Sequence, residues 1–376
     1  MGRYEIISRD EGGEEGLGMK TIVPAIAMAF IVYTIGGCPA KSAIRAGGTA
    51  SGERHLKNVA QLTFDGDNGE AYFGWDGGKI IFQSDRGGHA CDKIWIMNVD
   101  GSDKHMVSPD RGANTCSFFF PDGERIVFAS TSHLPGDCPP KPQLPRGLYY
   151  AWPLYPYNIY TANADGTGLK RITDNPKYDA EPVVSSDGKK IVFGAQRDGD
   201  FDVYIMDSNG SDVRRLTDRV GYDGGPWFSP DNKKIVWRAW YPETEEEKAL
   251  WRECMEKNYI VPVPLDIWVM DADGSNKRRI LHNGATNFAP SWHPDGKRII
   301  FSSNMDDWHE DIKKFGHNFE LYLINIDGTA LERLTYNNVF DGFPMFSPDG
   351  RKLVFSSNRN PQKPRATDIF IADWVE

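Results

Sequence analysis

Six Asp or Asn residues recur at one place in this chain: Asn68, Asn114, Asp179, Asp223, Asn287 and Asp341. Four of them stand three residues before a proline, at Pro182, Pro226, Pro290 and Pro344. Three carboxylates and three amides are hard oxygen donors, able to hold a hydrated divalent cation such as calcium or the amines and hydroxyls of a ligand. Glu70 and Glu181, two positions further on, would add charge to such a ring. Asx side chains also bridge their own backbone in tight bends, so a purely structural reading stands beside the functional one. No EF-hand loop of the D-x-D-x-D-G type is present, so no cofactor is expected, with a divalent cation such as calcium as the alternative.

A second set of candidates is aromatic. Tyr149, Tyr150, Trp152, Tyr155 and Tyr157 follow five prolines within 131–158, while Trp240, Tyr241 and Trp251 stand in a second irregular stretch. Rigid aromatic surface of this kind suits stacking on sugar rings or peptide side chains, or it packs the long loops down. Arg86, Arg197 and Arg359 recur where they could pair with the Asx ring or with a neighbouring repeat. His89, His133, His309 and His317 raise the question of a metal-assisted lyase or hydrolase. No Gly-x-Ser-x-Gly elbow and no His-Glu-x-x-His helix accompanies them.

The elements that must position these residues are written six times. Asp76, Asp122, Asp187, Asp231, Asp295 and Asp349 each begin a turn followed by an apolar run, as in "PDGERIVF", "SDGKKIVF" and "PDGRKLVF". A second run follows each, as in "KIWIMNVDGSD" and "DVYIMDSNGSD", and then a polar strand with "LT", "IT" or "IL". Alternating apolar runs broken by Asp-Gly turns predict antiparallel hairpins, four short strands to a unit. Sheets this small bury their faces by packing radially. The expected fold is therefore all-β, a six-bladed β-propeller of four-stranded antiparallel blades. The last copy ends after its third strand, at "DIFIADWVE", and an orphan fourth strand, Val59 to Gly66, precedes the first. Supplying one from the other would close the ring and cover an exposed edge.

The repeats "FSPDGRKLVFSSNRN…DIFIAD" and "YIMDSNGSDVRRLT" resemble the PD40, or WD40-like, repeats of the TolB family of exported bacterial propellers, from about Leu56 onward. The resemblance implies a non-catalytic binding or scaffolding propeller of the cell envelope, with a protein, peptide or glycan as partner. TolB itself carries an α/β domain before its propeller, for which the segment between Cys38 and Leu56 is too short. Propeller lyases acting on pectic oligosaccharides supply the alternative, metal-assisted reading.

Function is expected on one face. The long insertions, at 131–158, 241–265 and 304–318, all fall between the second and third strands of a unit, and long loops in compact domains are usually functional. Helices are predicted within two of them, over Pro242 to Lys257 and Asp306 to Phe315. Cys91, Cys116 and Cys138 map to one sector of this face, so one disulfide among the trio is expected, with Cys254 apart and no Cys-x-x-Cys pair to hold zinc.

The start of the chain reads as targeting rather than fold. An apolar run from Thr21 to Ile35 behind Lys20, ending in "IGGC", has the length of a secretory h-region, and Gly36-Gly37-Cys38 resembles a lipobox with Cys38 as the acylated residue. An uncleaved anchor helix is the other reading. Residues 1–18 are acidic where a signal should be basic, which makes Met19 the more natural start. The expected organisation is an extension and signal segment over 1–37, a linker over 38–55 and the propeller over 56–376. The protein is expected to be exported and lipid-anchored, facing the periplasm or cell exterior as a monomer that touches the membrane only through the anchor. A formal charge of -10 argues against a nucleic-acid partner, since phosphate binding wants a basic face.

Overall fold

The computed structural model describes residues 45–46, 52–140, 151–306, 318–359 and 366–376. The Cys38 expectation, Tyr149, Tyr150, His309 and His317 lie outside the described residues, as does nearly all of the helix predicted over Asp306 to Phe315. The described chain is an all-β propeller of four-stranded antiparallel sheets. In the third repeat the strands are Asp179–Val184, Lys190–Arg197, Asp200–Asp207 and Arg214–Arg215, hydrogen-bonded in that order. A single parallel pairing, Phe201 with Tyr222, links this sheet to the next. Among the described residues no helix is long and apolar enough to cross a membrane.

Two side-chain devices account for the repeated wording. In the turn, the Ser347 hydroxyl donates to Asp349 Oδ1 at 2.6 Å, and Asp349 accepts the backbone N–H of Arg351; Ser185–Asp187 and Ser229–Asp231 do the same. The residue after the Asp takes a left-handed φ, 71° at Gly350 and 59° at Asn232, which explains "PDG" and its one "PDN" variant. Just past the end of the outermost strand, the hydroxyls of Thr63, Ser108, Thr173, Thr217 and Thr335 accept the N–H of Ile369, Ile94, Ile159, Val203 and Leu321 at 2.8–2.9 Å. The threonine of "LT" is thus a clamp between the third and fourth strands. In the fourth repeat Leu281 stands in its place, and there the pairing slips between Ile267 and Trp268.

Sheet faces are buried against their neighbours. Phe119, Ile126 and Phe128 of the second repeat pack on Ile81 and Ile96 of the first, and Val236 and Ile267 of the fourth on Trp292 and Phe301 of the fifth. Strand Leu56–Gln61 pairs antiparallel with Asp368–Trp374, with Gln61 opposite Phe370. Beside it, Phe73, Ile80 and Phe82 of the first repeat share a core with Val354 and Ile369 of the last.

The insertions add a smaller core. Helix α1 spans Glu245–Lys257, beginning three residues after the predicted Pro242 because Thr244 and Glu247 form a reciprocal capping box. Trp251, Cys254 and Met255 of α1 pack with Ala151, Leu154, Tyr259 and Ile260. Residues Trp152–Pro153 and Tyr259–Ile260, from different insertions, pair as a two-stranded antiparallel ribbon.

Candidate functional site

Each innermost strand carries a bulge two residues past its Asx residue, and the bulged residue reaches the centre. Glu70, Cys116, Glu181, Gly225, Ala289 and Phe343 have φ between 48° and 59°, and all six line one cavity of about 520 Å³. A bulge re-aims a side chain that a regular pleat would send into the sheet packing. Holding a non-glycine residue there costs on the order of 1 kcal/mol, which the surrounding strands must over-determine.

The cavity wall joins charge to aromatic surface. Arg238 donates to Glu181 Oε1 at 2.5 Å and to the Tyr222 hydroxyl at 2.8 Å, while Glu181 Oε2 accepts the Gly225 N–H at 2.8 Å. Burial opposes the Arg238 charge, but Glu181 and Tyr222 outweigh it and raise its pKa. Two glycines make the room: a Cβ on Gly225 would collide with the guanidinium, and one on Gly194 would come within 2.7 Å of Glu181. Burial pushes the Glu70 carboxyl up, against the smaller lowering effect of its contact with the Cys116 thiol; burial and the charge of Glu70 push that thiol well above its ordinary range. Cys116 is therefore a protonated thiol rather than a nucleophile. Tyr72, Trp152, Tyr155, Tyr178 and Trp227 supply ring surface around these groups.

The six Asx side chains are at most 1% exposed, and none of them lines the cavity. Asn68, Asn114 and Asn287 donate to loop carbonyls at Asp65, Gly112 and Leu265. Asp179 and Asp341 bind Arg197 and Arg359, while Asp223 accepts from Trp237 Nε1 and the Tyr241 hydroxyl, each at 2.6 Å. They fasten the start of each innermost strand to its surroundings. Arg86 pairs instead with Asp65. Among the described residues no three His, Cys, Asp or Glu side chains gather in a way that could hold a metal ion.

The aromatic candidates divide. Trp152 and Tyr155 line the cavity, with the Arg238 guanidinium 6.0 Å from the Trp152 ring centroid. Trp251 is buried in the insertion core, donating to Asp200 at 2.8 Å and meeting Trp240 edge to face. Tyr241 holds Asp223 and lies under Arg219. Cys91 and Cys138 form a disulfide on the cavity rim, with Cα atoms 5.9 Å apart, and Cys116 and Cys254 remain free. His89 lines the cavity, and His133 lies beside Asn158. His293 sits at the tight turn before Asp295, against Phe346.

Sequence reasoning passed over Arg238, Tyr72, Tyr178 and Trp227. Arg238 did leave a signal. It occupies a column filled elsewhere by Gln83, Ala129, Gly194, Ser302 and Ser356, so a charge stands where the other repeats put small or neutral residues. A broader hollow of about 790 Å³ lies between the end of α1 and the third repeat, but its Arg197 and Arg215 are committed to Asp179 and Asp202.

Residues 156–247 match the family described as the TolB beta propeller domain. Within that stretch the sequence is of the TolB propeller type. Its sequence is 29% identical over 97 residues to the Tol-Pal system protein TolB of Alcanivorax borkumensis, a stretch covering 26% of this chain and 20% of that one. The chain spans 20% to 35% of the length of the first curated relatives it matches. Among solved structures, TolB from Acinetobacter baumannii superposes with a TM-score of 0.51 at 18% identity, over 82% of this chain and 63% of that one. An oligogalacturonate lyase in complex with manganese superposes with a TM-score of 0.51 at 15% identity, over 89% of this chain and 96% of that one. At these identities the structures share the fold of the TolB-type propeller and nothing finer.

Proposed function

We propose that this TolB-type propeller is a non-catalytic binding module of the bacterial cell envelope, and that it captures a partner polypeptide in the central funnel on the face carrying the insertions. The observation that carries this reading is the funnel itself: bulged residues from successive repeats converge on one cavity, and rings from the insertions extend its wall. Large rigid aromatics concentrate binding energy at little entropic cost. The six repeats form six blades over 56–376, and the strand at Leu56–Gln61 is the fourth strand of the last; its pairing with Asp368–Trp374 and the shared core of first and last repeats support this. The segment 1–37 is a targeting signal and 38–55 a linker, with Cys38 as the anchor point. Membrane release of a Cys38→Ser variant is the expected outcome, and unchanged sedimentation with membranes excludes the anchor.

The alternative of a metal-assisted lyase or hydrolase draws on the likeness to the oligogalacturonate lyase, which extends to the fold. Against it stands the charge of the funnel, since a polyuronate would meet Glu70 and Glu181 with one arginine already paired. The reading is tested with full-length protein and envelope extract. Trp152→Ala should abolish capture of the partner while leaving the melting temperature nearly unchanged. Capture that persists, with stability lost instead, assigns Trp152 to packing alone and removes the funnel as the site.

A further inference from the structure

The disulfide on the cavity rim has a cation beside it. At one column of the third strand the repeats carry Asn158, Asp202, Asp266, Glu320 and Asp368, and the first repeat carries Lys93 instead. Asn158, Asp202 and Asp368 accept the hydroxyl of the threonine clamp. An ammonium offers no acceptor, and in the first repeat the Ser108 hydroxyl turns to the Pro109 carbonyl. Lys93 is only 1% exposed; its Nζ donates to the Gly112 carbonyl at 2.7 Å and lies 3.7 Å from Cys91 Sγ. Burial lowers its pKa, while Asp110, Asp137 and Asp92 favour the charge. The Gly112 bond requires a donor but not a charge. The group that a charge would serve is the sulfur.

Cys91 Sγ also lies 3.4 Å from the Gly112 carbonyl oxygen and 3.5 Å from that of Asp137, acceptors that a thiol can use and a disulfide sulfur cannot. The surroundings of Cys91 therefore suit its reduced form as well as its oxidised one. Both cysteines are half-buried and line the cavity, so a small thiol can reach the bond from the funnel. A neighbouring ammonium stabilises a thiolate, and the sulfur with the more stable thiolate leaves faster in exchange. We infer that the Cys91–Cys138 bridge is a thiol–disulfide exchange site, in which a dithiol reductant attacks Cys138 and Cys91 departs as a thiolate held by Lys93. One thiolate of the reductant bonds to Cys138 Sγ as the Cys91–Cys138 bond breaks, leaving the electron pair on Cys91. The second thiolate displaces Cys138 and closes the reductant's own disulfide. Two electrons pass to the protein, and the two protons lost by the dithiol end on Cys91 and Cys138. The covalent tie between the first two repeats at the funnel rim is thereby undone. This site is independent of what the funnel captures.

The test uses oxidised full-length protein. With 2-mercaptoethanol as a monothiol probe and iodoacetamide as the quench, mass mapping should recover the mixed disulfide on Cys138 and the alkylated thiol on Cys91. With dithiothreitol, the folded wild type should be reduced roughly tenfold faster than Lys93→Met, and Lys93→Arg should restore most of that rate. In urea that unfolds both proteins, the wild-type and Lys93→Met rates should coincide, which a merely structural role for Lys93 would not require of the folded-state difference. A mixed disulfide found chiefly on Cys91, a folded wild type that resists reduction, or a folded-state rate unmoved by Lys93→Met overturns the inference. Should Lys93→Met fail to fold, the position of the mixed disulfide in the wild type and the rate of Lys93→Arg decide alone.

Discussion

Arg238, in the second strand of the fourth repeat, reaches across to the bulged Glu181 of the third and meets its carboxylate at 2.5 Å, with both side chains largely out of water. The pair ties two neighbouring sheets together at the cavity wall. Removing one partner strands the other as a buried, uncompensated charge, so Arg238→Leu should destabilise the protein by about 3–5 kcal/mol. Adding Glu181→Gln should recover much of that loss. Urea denaturation of both single variants and the double variant measures the coupling, and an additive cycle contradicts the pairing argument.

Asp223 predicts a pH effect with a definite sign. Burial pushes its pKa up from 3.8 to about 8, against the lowering hydrogen bonds from Tyr241 and Trp237. Because the folded state holds this proton more tightly than the unfolded chain, the group's stabilising contribution is complete below pH 4. It is lost as pH rises through about 8. Asp223→Asn keeps an oxygen for both donors and has no proton to lose. The variant's melting temperature should fall less steeply between pH 4 and 8 and exceed the wild type's at pH 9.

The disulfide joins residues 47 apart in sequence, and a cross-link of that span restricts the unfolded chain by about 2–4 kcal/mol. Cys138→Ser should lower stability by that order. Peptide mapping without reductant should recover Cys91 linked to Cys138. Cys116 should resist alkylation until the protein unfolds, since burial and Glu70 keep its thiol protonated.

Strand Leu56–Gln61 is hydrogen-bonded to Asp368–Trp374, and Leu56 and Val59 are buried in the core of the last repeats. Deleting 56–63 also removes the Thr63 clamp on Ile369. Thermal unfolding of the deletion variant should become broad and begin far lower. A sharp transition at the original temperature counts against the ring-closing role.

The repeat was legible because its signals are local. Ser-x-Asp-Gly turns and the Thr clamp each act within a few residues or one strand pairing, so the same letters recur wherever the same bonds form. The site was less legible. The Asx column was conspicuous as a pattern, yet the side chains that reach the cavity belong to the column two places on, where Glu70, Cys116, Glu181, Gly225, Ala289 and Phe343 share a backbone conformation and no chemistry. A bulge leaves no residue type of its own, and pattern reading follows residue types. Trp251 illustrates the second difficulty, since its burial depends on Ala151, Leu154 and Tyr259, which arrive from two separate insertions.

Those two insertions share more than a core. With Trp152 opposite Ile260 and Pro153 opposite Tyr259 in one ribbon, neither loop has an independent shape. A residue added to one slips the register of the other and turns Trp152 away from the cavity. Divergence at this rim is therefore tied across more than a hundred residues of sequence, and a graft that would carry the specificity of this propeller to another must move both loops as a single heritable part.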